Sequence, residues 1–142
     1  MVPLSRLCNR CHERGIVHLF ASVVMVRDLE RSPAFYRDIL GWEVRSDHQM
    51  GEEYRFLAVA PVGHSTGIVL GLSHFYDMEL ASPESPKRTN IYVTSNDVRA
   101  DYERLHALGV SFMTEPELMP WVASGATMVD PDGNAFFMSD VV

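Results

Sequence analysis

The chain has 142 residues, which is the size of one compact domain with a sizeable core. Hydrophobic residues make up 46% of it and charged residues 22%, as in ordinary soluble globular proteins. The formal net charge of −7 argues against a nucleic-acid partner, which calls for a basic patch, and no apolar run approaches the roughly 20 residues needed to cross a bilayer.

The first 17 residues differ from the rest and contain both cysteines. Cys8 and Cys11, followed by His12, match the C-x-x-C-H sequence to which c-type haem is attached. A zinc site could use Cys8, Cys11 and either His12 or His18, although a structural zinc requires four ligands in a closed shell. The interpretation we favour is an N-terminal extension with two reduced thiols. Because the segment has no continuous apolar core, it does not resemble a secretory signal, and we expect a cytoplasmic protein.

A strand–helix–strand pattern follows and ends at a Leu-Gly pair. The alternation of His18–Val26 predicts a strand, and the apolar spacing of Asp28–Leu40 predicts a helix. Asp28 is the first candidate for the N-cap and Ser32 the second, while Gly41 suits the left-handed position that ends a helix. Further strands are predicted at Trp42–Arg45, Tyr54–Ala60 and Gly67–Ser73, with a polar loop over Ser46–Glu53.

The same pattern then occurs a second time, after a linker over Asp77–Lys87. A strand is predicted at Arg88–Thr94, and a helix over Asp97–Leu108 is capped by Asn96 or Asp97 and ended by Gly109. The remaining strands are predicted at Val110–Thr114, Trp121–Val129 and Ala135–Val141, with a hairpin turn over Asp130–Asn134. We therefore expect a single domain over residues 18–142, with module one at 18–76, the linker at 77–87 and module two at 88–142.

The order βαβββ, repeated once, resembles the vicinal oxygen chelate superfamily, which includes glyoxalase I, bleomycin-resistance proteins, extradiol dioxygenases and fosfomycin-resistance enzymes. The matching segments are Val26–Ser32, Phe35–Val44, and Val129–Asn134 with Phe136. The resemblance implies an α+β fold in which two βαβββ modules form a cup-shaped mixed sheet. In this family two half-cups make a cavity, often across a dimer, so we expect a homodimer that binds a small molecule.

Metal-dependent members of that family have ligands at four strand positions, usually His, Glu or Gln, His and Glu. The corresponding residues here are Ala21, Gly71, Asn90 and Phe137. Because alanine, glycine and phenylalanine side chains have no donor atom, we expect no metal at these positions and no cofactor. The alternative is a displaced metal site built from residues near the loops of module one: His48, Glu52, Glu53, His64 and His74.

Strand alternation indicates which side chains face the cup. Residues in register with the four positions include Leu19, Val23, Val69, Ser73 and Ala135, and most are apolar. We predict a ligand site formed by Asn90, Tyr92, Thr94, Trp121, Phe137 and Ser139. The alternative is that these side chains only fill the core.

Three functions remain open from the sequence. The first is a metal-free protein that binds a small molecule, for which the acidic net charge favours a cationic drug. The second is a lyase, isomerase or dioxygenase-like enzyme with a metal-free or displaced metal site, in which Asn90, Tyr92 and His48 assist proton transfer. The third is an interaction module whose cup has collapsed. The residues do not decide whether a reaction is catalysed.

Overall fold

A computed structural model describes residues 15–16, 18–121 and 123–140. Cys8, Cys11 and His12, which form the C-x-x-C-H pattern, lie outside the described residues. Within the described part of the chain, no helix is long and apolar enough to cross a bilayer.

The first sheet contains four strands in the order β1-β4-β3-β2. Only the β1–β4 pair is parallel, because a helical segment connects β1 to the rest of the sheet, whereas the other pairs are antiparallel. The strands are β1 (Ala21–Met25), β2 (Glu43–Met50), β3 (Tyr54–Ala60) and β4 (Gly67–Gly71), with the helix α1 (Ser32–Ala34) after β1 and the helix α2 (Ser73–Tyr76) after β4.

The second sheet repeats this topology in the order β5-β8-β7-β6, again with one parallel pair, β5–β8. Its elements are β5 (Lys87–Ser95), α3 (Val98–Ala107), β6 (Ser111–Leu118), β7 (Ser124–Val129) and β8 (Asn134–Asp140). The side chain of Asp97 caps α3 by accepting a hydrogen bond from the Ala100 amide, as predicted. Gly41 and Gly109, at φ of 75° and 90°, take the left-handed conformation expected after each helical segment.

The first helical segment differs from the predicted helix. It begins at Ser32 rather than Asp28, and after α1 it continues as a π-helical turn over Phe35–Ile39. The Asp28 carboxylate accepts the amides of Glu30 and Arg31, which holds the preceding residues in a turn. Ser32 is not the N-cap, because its hydroxyl donates to a carboxylate of the second sheet instead.

Several strand boundaries also differ from the predictions, among them the start of β1 at Ala21 rather than His18 and the start of β7 at Ser124 rather than Trp121. Most of the predicted loop Ser46–Glu53 is strand, since β2 extends to Met50 as an exposed edge strand in which polar side chains carry no penalty. Ser73, predicted to face the cup from a strand, begins α2. The edge strand β6 passes through Pro116 and ends at Leu118.

The core lies between the two sheets, on the faces that carry the helical segments. Leu57, Leu70, Leu105, Met128 and Phe136 belong to one buried cluster that draws on both sheets. We call the opposite face of each sheet its hollow. The first hollow carries Met25, Ala58 and Gly71, and the second carries Asn90, Tyr92, Gly125, Thr127 and Phe137.

A buried polar network joins the two sheets at the turn between β7 and β8. Tyr36 donates to Asp130 over 2.6 Å, and Ser32 donates to Asp132 over 2.8 Å. The Asn134 amide group donates to the Met25 carbonyl over 2.8 Å. Burial, together with the Asp130 charge, raises the pKa of Tyr36, and burial also raises the pKa of Asp130 despite its hydrogen bonds. The fold tolerates the loss of hydration of these polar groups because each of them has a hydrogen-bond partner.

Candidate functional site

The second hollow contains a cavity of about 160 Å³. Strand alternation places every second side chain of β5, β7 and β8 on this face. The lining residues are Arg88, Asn90, Tyr92, Met119, Trp121, Thr127, Ala135 and Phe137. The volume is about half of the lower end of the usual range for ligand pockets, so a drug-sized molecule would extend beyond it.

Three aromatic rings dominate this cavity. The Phe137 ring centroid lies 4.9 Å from that of Tyr92 and 6.0 Å from that of Trp121. Tyr92 and Trp121 flank the Phe137 ring, yet Tyr92 is 66% exposed and Trp121 is 45% exposed. Two large aromatic side chains on an inward-curving face leave apolar area in water, which a flat ligand would cover by stacking.

Gly125 provides the floor beneath the central ring. A methyl group placed there would collide with Phe137 Cζ and lie 3.0 Å from Met119 Cγ. The absence of a side chain at this position is therefore what allows the Phe137 ring to pack directly against Gly125 of β7. The arrangement keeps the ring low and leaves the space above it open.

Asn90 reaches the cavity through an irregularity in β5. The pairing of β5 with β8 is interrupted between Arg88 and Tyr92, and Asn90 has a φ of 61°. A bulge of this kind turns a side chain to a new direction, and asparagine tolerates positive φ better than most residues. Its amide offers both a donor and an acceptor at the rim of an otherwise apolar surface.

The structure brings together four of the six predicted site residues: Asn90, Tyr92, Trp121 and Phe137 line this cavity. Thr94 lines a different cavity, between the two sheets. Ser139 is buried, and its hydroxyl donates to the Asp140 carbonyl over 3.1 Å.

Sequence reasoning missed three other lining residues, Arg88, Met119 and Thr127. Arg88 stands two positions before Asn90 on the same strand, so continuing the alternation would have found it. Met119 lies in the irregular segment before β7, where no periodicity applies.

The first hollow is closed by its own side chains. The Tyr76 ring covers Gly71, where a methyl group would lie 2.5 Å from Tyr76 Cε2 and 3.1 Å from Met25 Cε. The Tyr76 and Tyr54 hydroxyls are 2.9 Å apart and share a hydrogen bond. Burial and this hydrogen bond raise the pKa of Tyr76 to about 12.

The residues at the four family metal positions do not fit a divalent ion. Ala21, Gly71 and Phe137 have no donor atom, and the Phe137 and Tyr76 rings lie where ligands would be needed. Asn90 alone offers one neutral oxygen. Among the described residues, no group of three or more histidine, cysteine, aspartate or glutamate side chains is placed to hold a metal.

Two polar side chains of the first sheet, Arg55 and His48, do not line the cavity of the second hollow. Arg55 faces the helical side of the first sheet, where it donates to Asp47 over 2.8 Å and also pairs with Glu30. These bonds hold the pKa of Asp47 below its usual value. His48, predicted in a loop, is an exposed residue of β2.

Comparison with known proteins agrees with this architecture. The profile of the glyoxalase/bleomycin resistance protein/dioxygenase superfamily matches residues 15–137. The chain belongs to this superfamily. The predicted resemblance and the α+β fold of two βαβββ units are thereby confirmed.

Individual members of the superfamily are similar over most of the chain. A superfamily member from Sphaerobacter thermophilus DSM 20745 is 32% identical with a TM-score of 0.81, covering 89% of this chain and 98% of that one. TnmS3, an antibiotic binding protein from Streptomyces sp. CB03234, is 31% identical with a TM-score of 0.71, covering 91% of this chain and 99% of that one. The protein YetH of Bacillus subtilis (strain 168) is 29% identical over 117 residues, which is 82% of this chain and 92% of YetH.

Proposed function

We propose that this superfamily member binds a small organic molecule in the second hollow, without a metal. The observation that carries the proposal is the exposed aromatic surface around one cavity. Tyr92 and Trp121 flank Phe137 and remain largely in water, while Gly125 keeps the central ring low. A flat apolar ligand would bury all three rings and gain stacking contacts.

The charge of the lining favours a neutral or anionic ligand. The net charge of the chain is −7, which favours cations over the surface as a whole. Among the described lining residues, however, Arg88 is the one ion, and no carboxylate accompanies it in the cavity. Its guanidinium would pair with a ligand carboxylate or phenolate, and Asn90 would accept or donate a further hydrogen bond.

The similarity to TnmS3 supports antibiotics as the first compounds to test. Binding at 100 times the dissociation constant adds about 2.7 kcal/mol to the free energy of unfolding, which raises the melting temperature by several degrees. A library of planar antibiotics should include an anionic member, such as nalidixic acid, and a cationic one, such as daunorubicin. We expect the anionic compounds to give the larger shifts.

The variant Trp121→Ala tests the site, since it removes one exposed ring of the aromatic surface. We expect the affinity for the best compound to fall about tenfold, because one stacking contact is lost. Leu108→Ala is the matched control, as this exposed residue lies outside the cavity. Isothermal titration calorimetry with and without a chelator measures both the loss and the independence from metal. Unchanged binding by Trp121→Ala, or binding lost with the chelator, would contradict the proposal.

Arg88→Gln tests the charge preference separately. We expect it to weaken nalidixate about tenfold and to leave daunorubicin unchanged, because only the anion pairs with the guanidinium. Arg99→Gln on α3 changes the net charge equally and should affect neither compound. Equal effects of the two variants would show that only the overall charge matters.

We further propose that two copies pair to complete the site. The cavity is smaller than a drug-sized ligand, and exposed apolar side chains lie near the free edges of β1 and β5: Leu19, Phe20 and Tyr92. Pairing of such edges covers unpaired backbone groups as well as apolar surface. Light scattering at micromolar concentration should give twice the mass of the chain, and a monomer would contradict pairing.

A further inference from the structure

The two sheets contact each other at two corresponding places, and only one of them is sealed. Each place joins the turn after the third strand of one sheet to the helical segment of the other. At the sealed contact, Asp130 and Asp132 of the β7–β8 turn receive hydrogen bonds from Tyr36 and Ser32 beside α1. Both carboxylates are buried at this contact.

The corresponding turn of the first sheet, Pro61–Thr66, does not close against α3 in this way. Its described hydrogen bonds stay within the first sheet, where Arg45 donates to the carbonyls of Pro61 and His64 over 3.3 and 2.7 Å. Between this turn and α3 there is a cavity of about 400 Å³. That volume lies within the range of pockets that hold small ligands.

The cavity is apolar inside, and the carboxylate and the guanidinium in its lining lie at one side. Its apolar walls come from both sheets and include Leu40, Trp42, Ile68, Ile91, Leu105 and Met138. This polar side consists of Asp101 and Arg104, which are one turn apart on α3, together with Ser95. Further polar residues in the lining are His64, Thr66 and Thr94. An amphipathic molecule therefore fits better than a polar one, with its charged end at α3.

The hydrogen bonds at the polar side indicate which charge the ligand carries. Asp101 already accepts the Ser95 hydroxyl over 2.5 Å, and this hydroxyl also accepts the Asp97 amide. Among the residues that the structure describes, the Arg104 guanidinium has only long contacts, 3.4 Å to Asp101 and 3.5 Å to the Ile39 carbonyl, and its side chain is 52% exposed. The guanidinium thus keeps donors available, whereas the carboxylate is engaged.

We propose that this cavity, which borders the second hollow at Tyr92, is a second ligand site and that it takes an amphipathic monocarboxylate. The hydrocarbon part lies among Trp42, Ile91 and Leu105, and the carboxylate accepts hydrogen bonds from Arg104. A planar guanidinium suits this role because it can donate two parallel bonds to one carboxylate.

Decanoate is the probe for this proposal, and decanol is its uncharged counterpart. Calorimetric titration at pH 7 should show decanoate bound at the wild-type site. Arg104→Gln should weaken decanoate at least tenfold, because a charge-assisted bidentate contact is lost, and should leave decanol unchanged. Arg99→Gln on the same helix is the control for net charge and should bind both probes as the wild type does.

The location is tested with one variant of each site. Ile91→Trp, which fills the cavity, should abolish decanoate binding, and Trp121→Ala in the second hollow should leave it intact. No decanoate binding at millimolar concentration would overturn the proposal, as would equal affinities of the wild type and Arg104→Gln. Loss of decanoate binding in Trp121→Ala would place the probe in the second hollow and overturn it as well. Failure of the antibiotics to bind in the second hollow would leave this proposal standing, because decanoate is expected in the other cavity.

Discussion

The two hollows share one structural feature, but the first is closed by it and the second stays open. In each, an aromatic ring lies over a glycine of the sheet: Tyr76 over Gly71 in the first, and Phe137 over Gly125 in the second. In the first hollow the ring comes from α2, outside the sheet, and a hydrogen bond to Tyr54 holds it in place as a cover. In the second the ring belongs to β8 and forms part of the floor.

The difference shows that a repeated fold does not imply a repeated site. A ring that arrives from a connecting segment fills the space above a sheet, whereas a ring on the sheet leaves that space free. Only the second hollow combines an open floor with exposed Tyr92 and Trp121. The ligand site that we propose therefore lies in the second hollow, and matched variants of the two hollows should differ in their effects.

The largest effect is expected for Gly125→Ala. The added methyl group would collide with Phe137 and crowd Met119, so the ring must rise into the cavity. We expect a loss of about 1–3 kcal/mol in the free energy of unfolding, as for other overpacked sites, and at least a tenfold loss of ligand affinity. Urea denaturation and calorimetry measure the two quantities. Wild-type affinity in a folded Gly125→Ala variant would contradict an open floor.

Gly71→Ala is the corresponding change in the first hollow and should have a smaller effect. Its methyl group would lie 2.5 Å from the Tyr76 ring, which belongs to a helix of four residues and can move aside. We expect about 1 kcal/mol of destabilisation and no change in ligand affinity. A fall in affinity as large as that of Gly125→Ala would mean that both hollows bind the ligand.

The smallest effect concerns the hydrogen bond that holds the cover. Tyr76→Phe should cost about 1 kcal/mol at neutral pH, the usual worth of one hydrogen bond. Because the pKa of Tyr76 is raised from 10.0 to about 12, its contribution is complete below pH 10 and is lost as the pH rises to about 12. The wild type should therefore lose stability more steeply than the variant in this interval. Parallel pH profiles of the two proteins in urea denaturation would contradict a contribution of the Tyr54–Tyr76 hydrogen bond to stability.

The sequence predicts those parts of the fold that depend on local chemistry. The helix α3 lies within one residue of its predicted bounds because Asp97 caps it and Gly109 ends it. The turn at Asp130–Asn134 forms as predicted, with the Gly133 amide donating to the Asp130 carbonyl. The prediction for the first helical segment was wrong because the Ser32 hydroxyl donates to Asp132 across the contact between the sheets. No local sequence pattern indicates such a long-range hydrogen bond.

In the candidate site, too, the features that depend on local pattern were predictable, and those that depend on packing between segments were not. Alternation along β5 and β8 placed Tyr92 and Phe137 on one face, and both line the cavity. Thr94 is on the same strand but lines the cavity between the sheets, since β5 is an edge strand and its end borders both spaces. Neither the cover formed by Tyr76 nor the open contact at Arg104 follows from periodicity, because both depend on how separate segments pack.

The most direct test of the central claim is a proton–nitrogen NMR spectrum with the tightest compound from the antibiotic library. The chain contains two tryptophans, so two indole N–H signals are expected. Trp121 lines the second hollow, whereas Trp42 packs against Tyr36 and borders the cavity between the sheets. We predict that the compound shifts the Trp121 signal and leaves the Trp42 signal in place. A shift of Trp42 alone, or of neither signal at saturation, would contradict a ligand site in the second hollow.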